Sequence, residues 1–240
     1  MPGSVKTQAV VLRSIRYGEA DRIVHLYTAD RGRIGAIAKG VRRSRSRFGG
    51  RLEPFFRLNL VLYEGRSDLL TVTAAETVAG YGRLRSDGRA LDSAARACDA
   101  VGRLFDTDEP HPAVFNLLCN EMALIDDDPA RATHSNQLAF RLKLLLAAGL
   151  APQLAACASC GGRDHLTGFS GSAGGVVCSA CEASSFPLDA AAHEFLTGAL
   201  GSPLAQAPDA PARALRQAER AIAETVEHHA GVRLRAAIAG

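Results

Sequence analysis

The sequence predicts an α+β protein of several domains: a small five-stranded barrel, then an all-helical domain with a four-cysteine zinc ribbon inserted in it. Three observations carry this expectation. Residues 1–80 alternate short β-prone runs with turn residues, the apolar period becomes helical after Gly82, and two Cys-x-x-Cys pairs stand late in the chain. At 240 residues the chain is between one and two typical domains, long enough to build a hydrophobic core without disulfides.

The strands are expected at 7–13, 22–28, 33–39, 55–63 and 69–73, each rich in Val, Ile, Leu, Tyr or Thr. The clearest alternation lies in the fourth, where Leu58, Leu60 and Leu62 share one face and Arg57 and Asn59 the other, so one side is core. Asp30-Arg31-Gly32 is a tight connection that predicts a hairpin between the second and third strands. Five short strands with a long basic connection before the fourth fit a closed barrel of the OB type.

Helices are expected at 90–105, 113–125, 135–148 and 211–229. Leu138, Leu142, Leu145 and Leu146 form a stripe on the third, and Leu215, Ile222 and Val226 a stripe on the last. Gly149 and Pro152 mark the end of the third. Asp126, Asp127 and Asp128 read as loop and helix-cap residues rather than a chemical site. The domains are therefore set at 1–80 for the barrel, 81–156 for the first helical part, 157–184 for the ribbon and 185–240 for the second helical part.

Cys157 and Cys160, then Cys178 and Cys181, are two Cys-x-x-Cys pairs with 17 residues between them. Two intervening residues let both thiolates of one turn reach the same ion, and two such turns complete a tetrahedron. One structural zinc ion is the expected cofactor, since four cysteines leave no coordination position for a reacting water. A redox dithiol or four unrelated buried thiols are the alternatives. His165, between the pairs, reads as a surface residue, and Cys98 and Cys119 as small buried hydrophobes.

Hydrophobic residues make up 47% and charged residues 22% of the chain, which excludes a disordered tail or a membrane protein. The start of the chain has no uninterrupted apolar stretch, so no secretory signal is expected and a cytoplasmic location follows. The net charge of +3 hides an asymmetry: residues 1–82 hold 14 basic and 7 acidic side chains, the remainder 14 and 18. A basic first third points to a polyanionic partner.

That charge is densest between strands three and four. Lys39, Arg42, Arg43, Arg45, Arg47 and Arg51 lie in a stretch without one acidic residue, punctuated by Gly and Ser. On an OB-type barrel these side chains are candidate contacts to nucleic-acid phosphates, giving affinity without sequence information. Phe48 offers a ring for base stacking, and Arg31 and Arg33 extend the track. Arg13, Arg16 and Arg22 read equally well as outward solubility residues. No catalytic residue is assigned: a P-loop, His-Glu-x-x-His and Gly-x-Ser-x-Gly are all absent, while His193, Glu194, His228 and His229 look isolated and exposed.

The run from Tyr17 to Thr28, Gly32-Arg33, Ala38-Lys39-Gly40-Val41-Arg42, Leu52-Glu53-Pro54-Phe55 and the late cysteine pairs resemble the RecO family of bacterial recombination mediators. The resemblance extends over essentially the whole chain. It implies an OB domain, a helical domain and a zinc ribbon. It also implies a non-enzymatic protein of DNA repair and recombination that binds single- and double-stranded DNA and anneals complementary strands. With RecR, such a protein helps RecA displace single-strand-binding protein, whose C-terminal tail docks on the helical domain. DNA contacts carry over onto Lys39 and Arg42, which lie in the matched string. A zinc-ribbon adaptor that binds proteins and does not touch DNA is the alternative.

Overall fold

The computed structural model describes residues 3–43, 46, 48–65 and 69–237. Arg45 and Arg47 lie outside these residues. The chain divides into two compact units, Met1–Pro129 and Ala130–Gly240.

The first unit opens with the barrel: β1 (Ser4–Tyr17), β2 (Asp21–Thr28), β3 (Arg33–Ala38), β4 (Arg57–Tyr63) and β5 (Leu70–Ala79). The sheet closes in the order β1-β2-β3-β5-β4, with β4 returning to β1. β1 is long because it serves two neighbours, pairing with β4 from Ser4 and with β2 from Ala9 to Tyr17. A bulge between Val11 and Arg13 bends it between the two tasks. The parallel contact of β3 with β5 rests on two residue pairs, Ala36 with Leu70 and Ile37 with Thr71.

Alternation decides what fills the barrel. Leu58, Leu60 and Leu62 of β4 turn inward to meet Val11, Val24, Leu26, Ala36, Ala38 and Val72. β5 runs six residues beyond its expected end. Its last stretch, Ala74 to Val78, is mostly exposed and carries no apolar alternation, yet its backbone pairs with β4.

Among the described residues, three α-helices complete this unit: α1 (Gly82–Ser86), α2 (Gly88–Leu104) and α3 (Pro112–Asp127). The Asp87 carboxylate accepts from the backbone N–H groups of Arg89 and Ala90 at 3.0 and 2.9 Å, an N-cap for α2 of about 1 kcal/mol. α2 buries Ala90, Ala94, Ala97 and Val101, while Asp92 with Arg96 and Asp99 with Arg103 pair four residues apart along the helix. Asp126 accepts from the Leu84 N–H at 2.9 Å and so caps α1, and Asp128 stands at the C-cap of α3.

The second unit is built on α4 (His134–Ala147), α5 (Ala190–Gly201) and α6 (Ala212–Ala230), with a small sheet of β6 (Leu166–Ser170), β7 (Gly175–Cys178) and β8 (Phe186–Pro187) ordered β7-β6-β8. α4 is buried almost all round, which is why its apolar residues extend beyond the one expected stripe. Gly149 ends it in the left-handed conformation, φ +71°. α5 is absent from the helices that periodicity predicts: alanines and glycines on every side obscure its buried face of Ala192, Phe195, Leu196 and Ala199. Among the described residues, no helix is long and apolar enough to cross a membrane.

Candidate nucleic-acid interface and metal centre

The basic segment leaves β3 at Lys39 and crosses the turn between β1 and β2. The Gly40 N–H donates to the Asp21 carboxylate at 2.8 Å and the Arg42 N–H to the Ala20 carbonyl at 2.9 Å. Gly40 has φ +68°, a conformation that costs glycine little. Further on, the chain turns its apolar side chains into the barrel: Phe48 and Leu52 are each 1% exposed within the core and Val41 packs against it. The ring of Phe48 is therefore a core plug and not the exposed stacking surface expected from its place among arginines.

With the apolar residues inward, the described cations face water. Lys39, Arg42, Arg43 and Arg51 are exposed, and Arg51 reaches back to the Phe48 carbonyl at 3.4 Å. The far end of the segment is fastened by a charge pair, Arg22 with Glu53 at 2.8 Å, and Arg22 also donates to Ser14 Oγ at 3.0 Å. Arg22 thus secures the plug rather than serving as an outward solubility residue. Arg13 and Arg16 are exposed.

Arg33 has a structural task too. Its guanidinium donates to the Gly102 carbonyl near the end of α2 at 3.1 Å, and its backbone N–H to the Thr107 carbonyl at 2.8 Å. Gly32 is required here: its φ is +52°, and the Glu109 and Thr107 carbonyls crowd the place where a Cβ would stand, so no other residue fits. His25, near Arg33 and Arg13, has its pKa lowered first by burial and then by these two cations.

The four expected metal ligands come together. The sulfur atoms of Cys157, Cys160, Cys178 and Cys181 all lie within 4.8 Å of one another. A tetrahedron with metal–sulfur bonds of about 2.3 Å has edges of about 3.8 Å; Cys160 Sγ and Cys178 Sγ are 3.8 Å apart. This spacing is far too long for a disulfide and fits four soft donors around one ion such as zinc.

Local turns build the two halves. Gly161, φ +77°, donates its N–H to the Cys157 carbonyl at 2.8 Å, which closes the first knuckle. The second knuckle starts at the end of β7 and continues as a short 3₁₀ helix, Ser179–Ser184. Backbone N–H groups of Cys178, Cys160 and Ser159 bring the Cys157 thiol down to about 6, while hydrogen bonding to Cys178 and Cys160 pushes Cys181 up to about 12. The cluster's hydrogen bonds thus favour the thiolate form at Cys157 and the thiol form at Cys181. Among the described residues, no other cluster of three or more such side chains occurs.

The remaining candidates fall into structural places. Cys98 and Cys119 are buried, and burial raises the pKa of both, Cys119 to about 11. His165 is exposed, with its carbonyl accepting from the Ser179 N–H. His193 is half-buried against expectation, its Nε2 2.7 Å from the Leu154 carbonyl. Glu194, His228 and His229 are exposed, and His229 Nε2 meets the Gly171 carbonyl at 2.8 Å.

Comparison with known proteins matches nearly the whole chain. Residues 1–81 match the family description "Recombination protein O N terminal" and residues 85–237 match "Recombination protein O C terminal". A protein named "DNA repair protein RecO" from Anaeromyxobacter dehalogenans (strain 2CP-C) is 39% identical over 240 residues, covering 97% of this chain and 94% of its own. One of the same name from Rubrobacter xylanophilus is 37% identical over 243 residues, covering 98% and 96%. A third, from Bifidobacterium adolescentis, is 40% identical over 183 residues, 72% of each chain.

Proposed function

The chain belongs to the recombination protein O family of DNA repair proteins, and from that premise we propose that it acts as a recombination mediator that holds DNA by its phosphates. The observation that carries this reading is the two-sided segment after β3, with Phe48 and Leu52 anchored in the barrel and Lys39, Arg42, Arg43 and Arg51 exposed to water. Arg45 and Arg47 add two further cations to the same stretch of sequence.

In this reading the barrel binds single- and double-stranded DNA without reading sequence, because cations that meet phosphates displace counterions and carry no base information. Bringing two complementary strands to such a surface lowers their mutual repulsion and lets pairing nucleate. No bond is made or broken and no nucleotide is consumed. With RecR, the protein promotes loading of RecA onto strands coated by single-strand-binding protein, whose C-terminal tail it engages. It works in the cytoplasm, at the nucleoid when DNA-bound.

Cys157, Cys160, Cys178 and Cys181 would hold one zinc ion. When bound, the ion supplies cross-linking of the ribbon rather than reactivity, since all four positions around it are taken by protein. The four residues fix the two knuckles and the ends of β6 and β7.

The test is annealing of complementary oligonucleotides with no nucleotide added. Acceleration over the spontaneous rate, abolished when Lys39, Arg42, Arg43 and Arg51 are all changed to alanine, is the expected result. Failure to bind or anneal would overturn the reading.

A further inference from the structure

Past α6 the chain folds back on the helix it has just left. Gly231 takes the left-handed conformation, φ +67°, with open space where a Cβ would stand, and residues 232–237 continue without helix or strand. Val232 and Leu234 are half-buried, Arg233, Arg235 and Ala236 are exposed, and Ala237 is 3% exposed. Six extended residues span about 20 Å, and α6 rises about 18 Å from Glu219 to Gly231, so the segment reaches back as far as Glu219.

There it is gripped by its backbone. The Arg235 carbonyl accepts from the Arg141 guanidinium of α4 at 2.6 Å, and the Ala237 N–H donates to the Glu219 carboxylate of α6. Glu219 also lies 3.8 Å from Arg141 and 3.1 Å from His134 Nε2. In an extended chain the C=O of one residue and the N–H two residues on face the same side, the pair of groups that a neighbouring strand would take. Arg141 is 4% exposed, and a buried charge is costly unless it is paired and hydrogen-bonded. Arginine and glutamate spent on main chain at this place make a built peptide site. The pair of Arg233 with Glu227 at 2.9 Å is exposed on both sides and adds little.

We propose that this clamp also joins two copies of the chain: residues 232–237 of one molecule lie on Arg141 and Glu219 of a second, which returns its own segment to the first. The occupant follows from what is seated there already. The fit of the segment to the clamp is shown within one molecule, and a second copy repeats every contact. The turn at Gly231 decides between the two arrangements. While it stays left-handed, the segment meets its own clamp at an effective concentration of about millimolar, and the single molecule wins at ordinary dilution. A turn held open sends the segment away from its own α6 and leaves the clamp to a partner's. A pair joined this way carries two barrels. That consequence, though not the interface, rests on the DNA-binding reading above: one particle then offers a surface to each of two strands.

The interface is tested without DNA, by light scattering on the peak eluted from gel filtration. The parent should be a monomer at about ten micromolar, well below the effective concentration of its own segment. Gly231→Pro, with φ locked at about −65°, cannot make the turn and should be a dimer at the same concentration. Adding Ala237→Pro removes the N–H that Glu219 accepts and should return the monomer. Gly231→Ala makes the turn only at a cost and should dimerise roughly ten-fold more tightly than the parent in sedimentation equilibrium. A monomeric Gly231→Pro with the circular dichroism of the parent would overturn the proposal, and so would a dimer that Ala237→Pro leaves intact. If Gly231→Pro does not fold, Gly231→Ala decides, and an association constant equal to the parent's would overturn it. These outcomes stand apart from those of the annealing test, which alone bears on DNA binding.

Discussion

The Arg22 guanidinium sits 2.8 Å from the Glu53 carboxylate, and this pair ties the far end of the basic segment to β2 across 31 residues of sequence. Arg22 is largely buried and its Nε has no hydrogen-bond partner, so the position relies on Glu53 and Ser14. Glu53→Gln keeps the shape and removes the charge. It should lower stability by roughly 1 kcal/mol, measured by urea unfolding, and weaken DNA binding less than removal of any exposed cation. A larger effect on binding than on stability would mean that Glu53 does more than hold the plug.

Phe48 gives a sharper separation of packing from recognition. Phe48→Ala should cost about 3–5 kcal/mol by opening a hole in the barrel, and Phe48→Leu much less. Single-strand affinity of the folded Phe48→Leu protein should match the parent. Weaker affinity at unchanged stability would return Phe48 to a base-contacting role.

For the metal centre the pH dependence has a definite sign. Hydrogen bonding within the metal-free cluster lowers the Cys157 pKa to about 6 and raises that of Cys181, so Cys157 gives up its proton the more readily of the two. Zinc binding to the metal-free protein should therefore release fewer than four protons at pH 7. As pH falls through about 6, Cys157 takes up a proton in the metal-free state, so the number released rises and affinity falls. Calorimetry in buffers of different ionisation enthalpy measures this number. A value independent of pH between 5 and 7.5 would contradict the assignment of Cys157.

Cys98 and Cys119 should behave as inert core residues. Burial favours the neutral thiol at both, which lowers the thiolate fraction and blocks access. In native protein at pH 8, a thiol reagent such as Ellman's reagent should leave both untouched. Two further equivalents should react only on unfolding. Rapid reaction of either in the folded state would show that its helix opens.

The metal centre was legible in the sequence because its geometry is local: two residues between cysteines set the reach of each knuckle, and only the meeting of the two halves needs the fold. The barrel was legible through Leu58, Leu60 and Leu62, whose alternation survives any context. The fates of Arg22, Arg33 and Phe48 were not. Arg33 meets Gly102 after 69 residues, and Phe48 is buried in a turn segment whose inward residues, Val41, Phe48 and Leu52, follow no strand period. α1 has five residues, too few to show a period, and the small residues of α5 mask its own. The clamp on residues 232–237 is likewise invisible without the fold, since Arg141 and Glu219 reach that segment only when α4 and α6 pack together.

The central claim, that exposed cations of the segment after β3 hold DNA by its phosphates, is tested most directly by the salt dependence of oligo-dT binding. Neutralisation of four to six phosphates predicts that log K falls against log salt with a slope of roughly −3 to −4. Changing Lys39, Arg42, Arg43 and Arg51 to alanine together should flatten that slope by nearly 3, about 0.7 for each phosphate no longer neutralised. An unchanged slope in the quadruple variant, with its fold intact, would contradict the account.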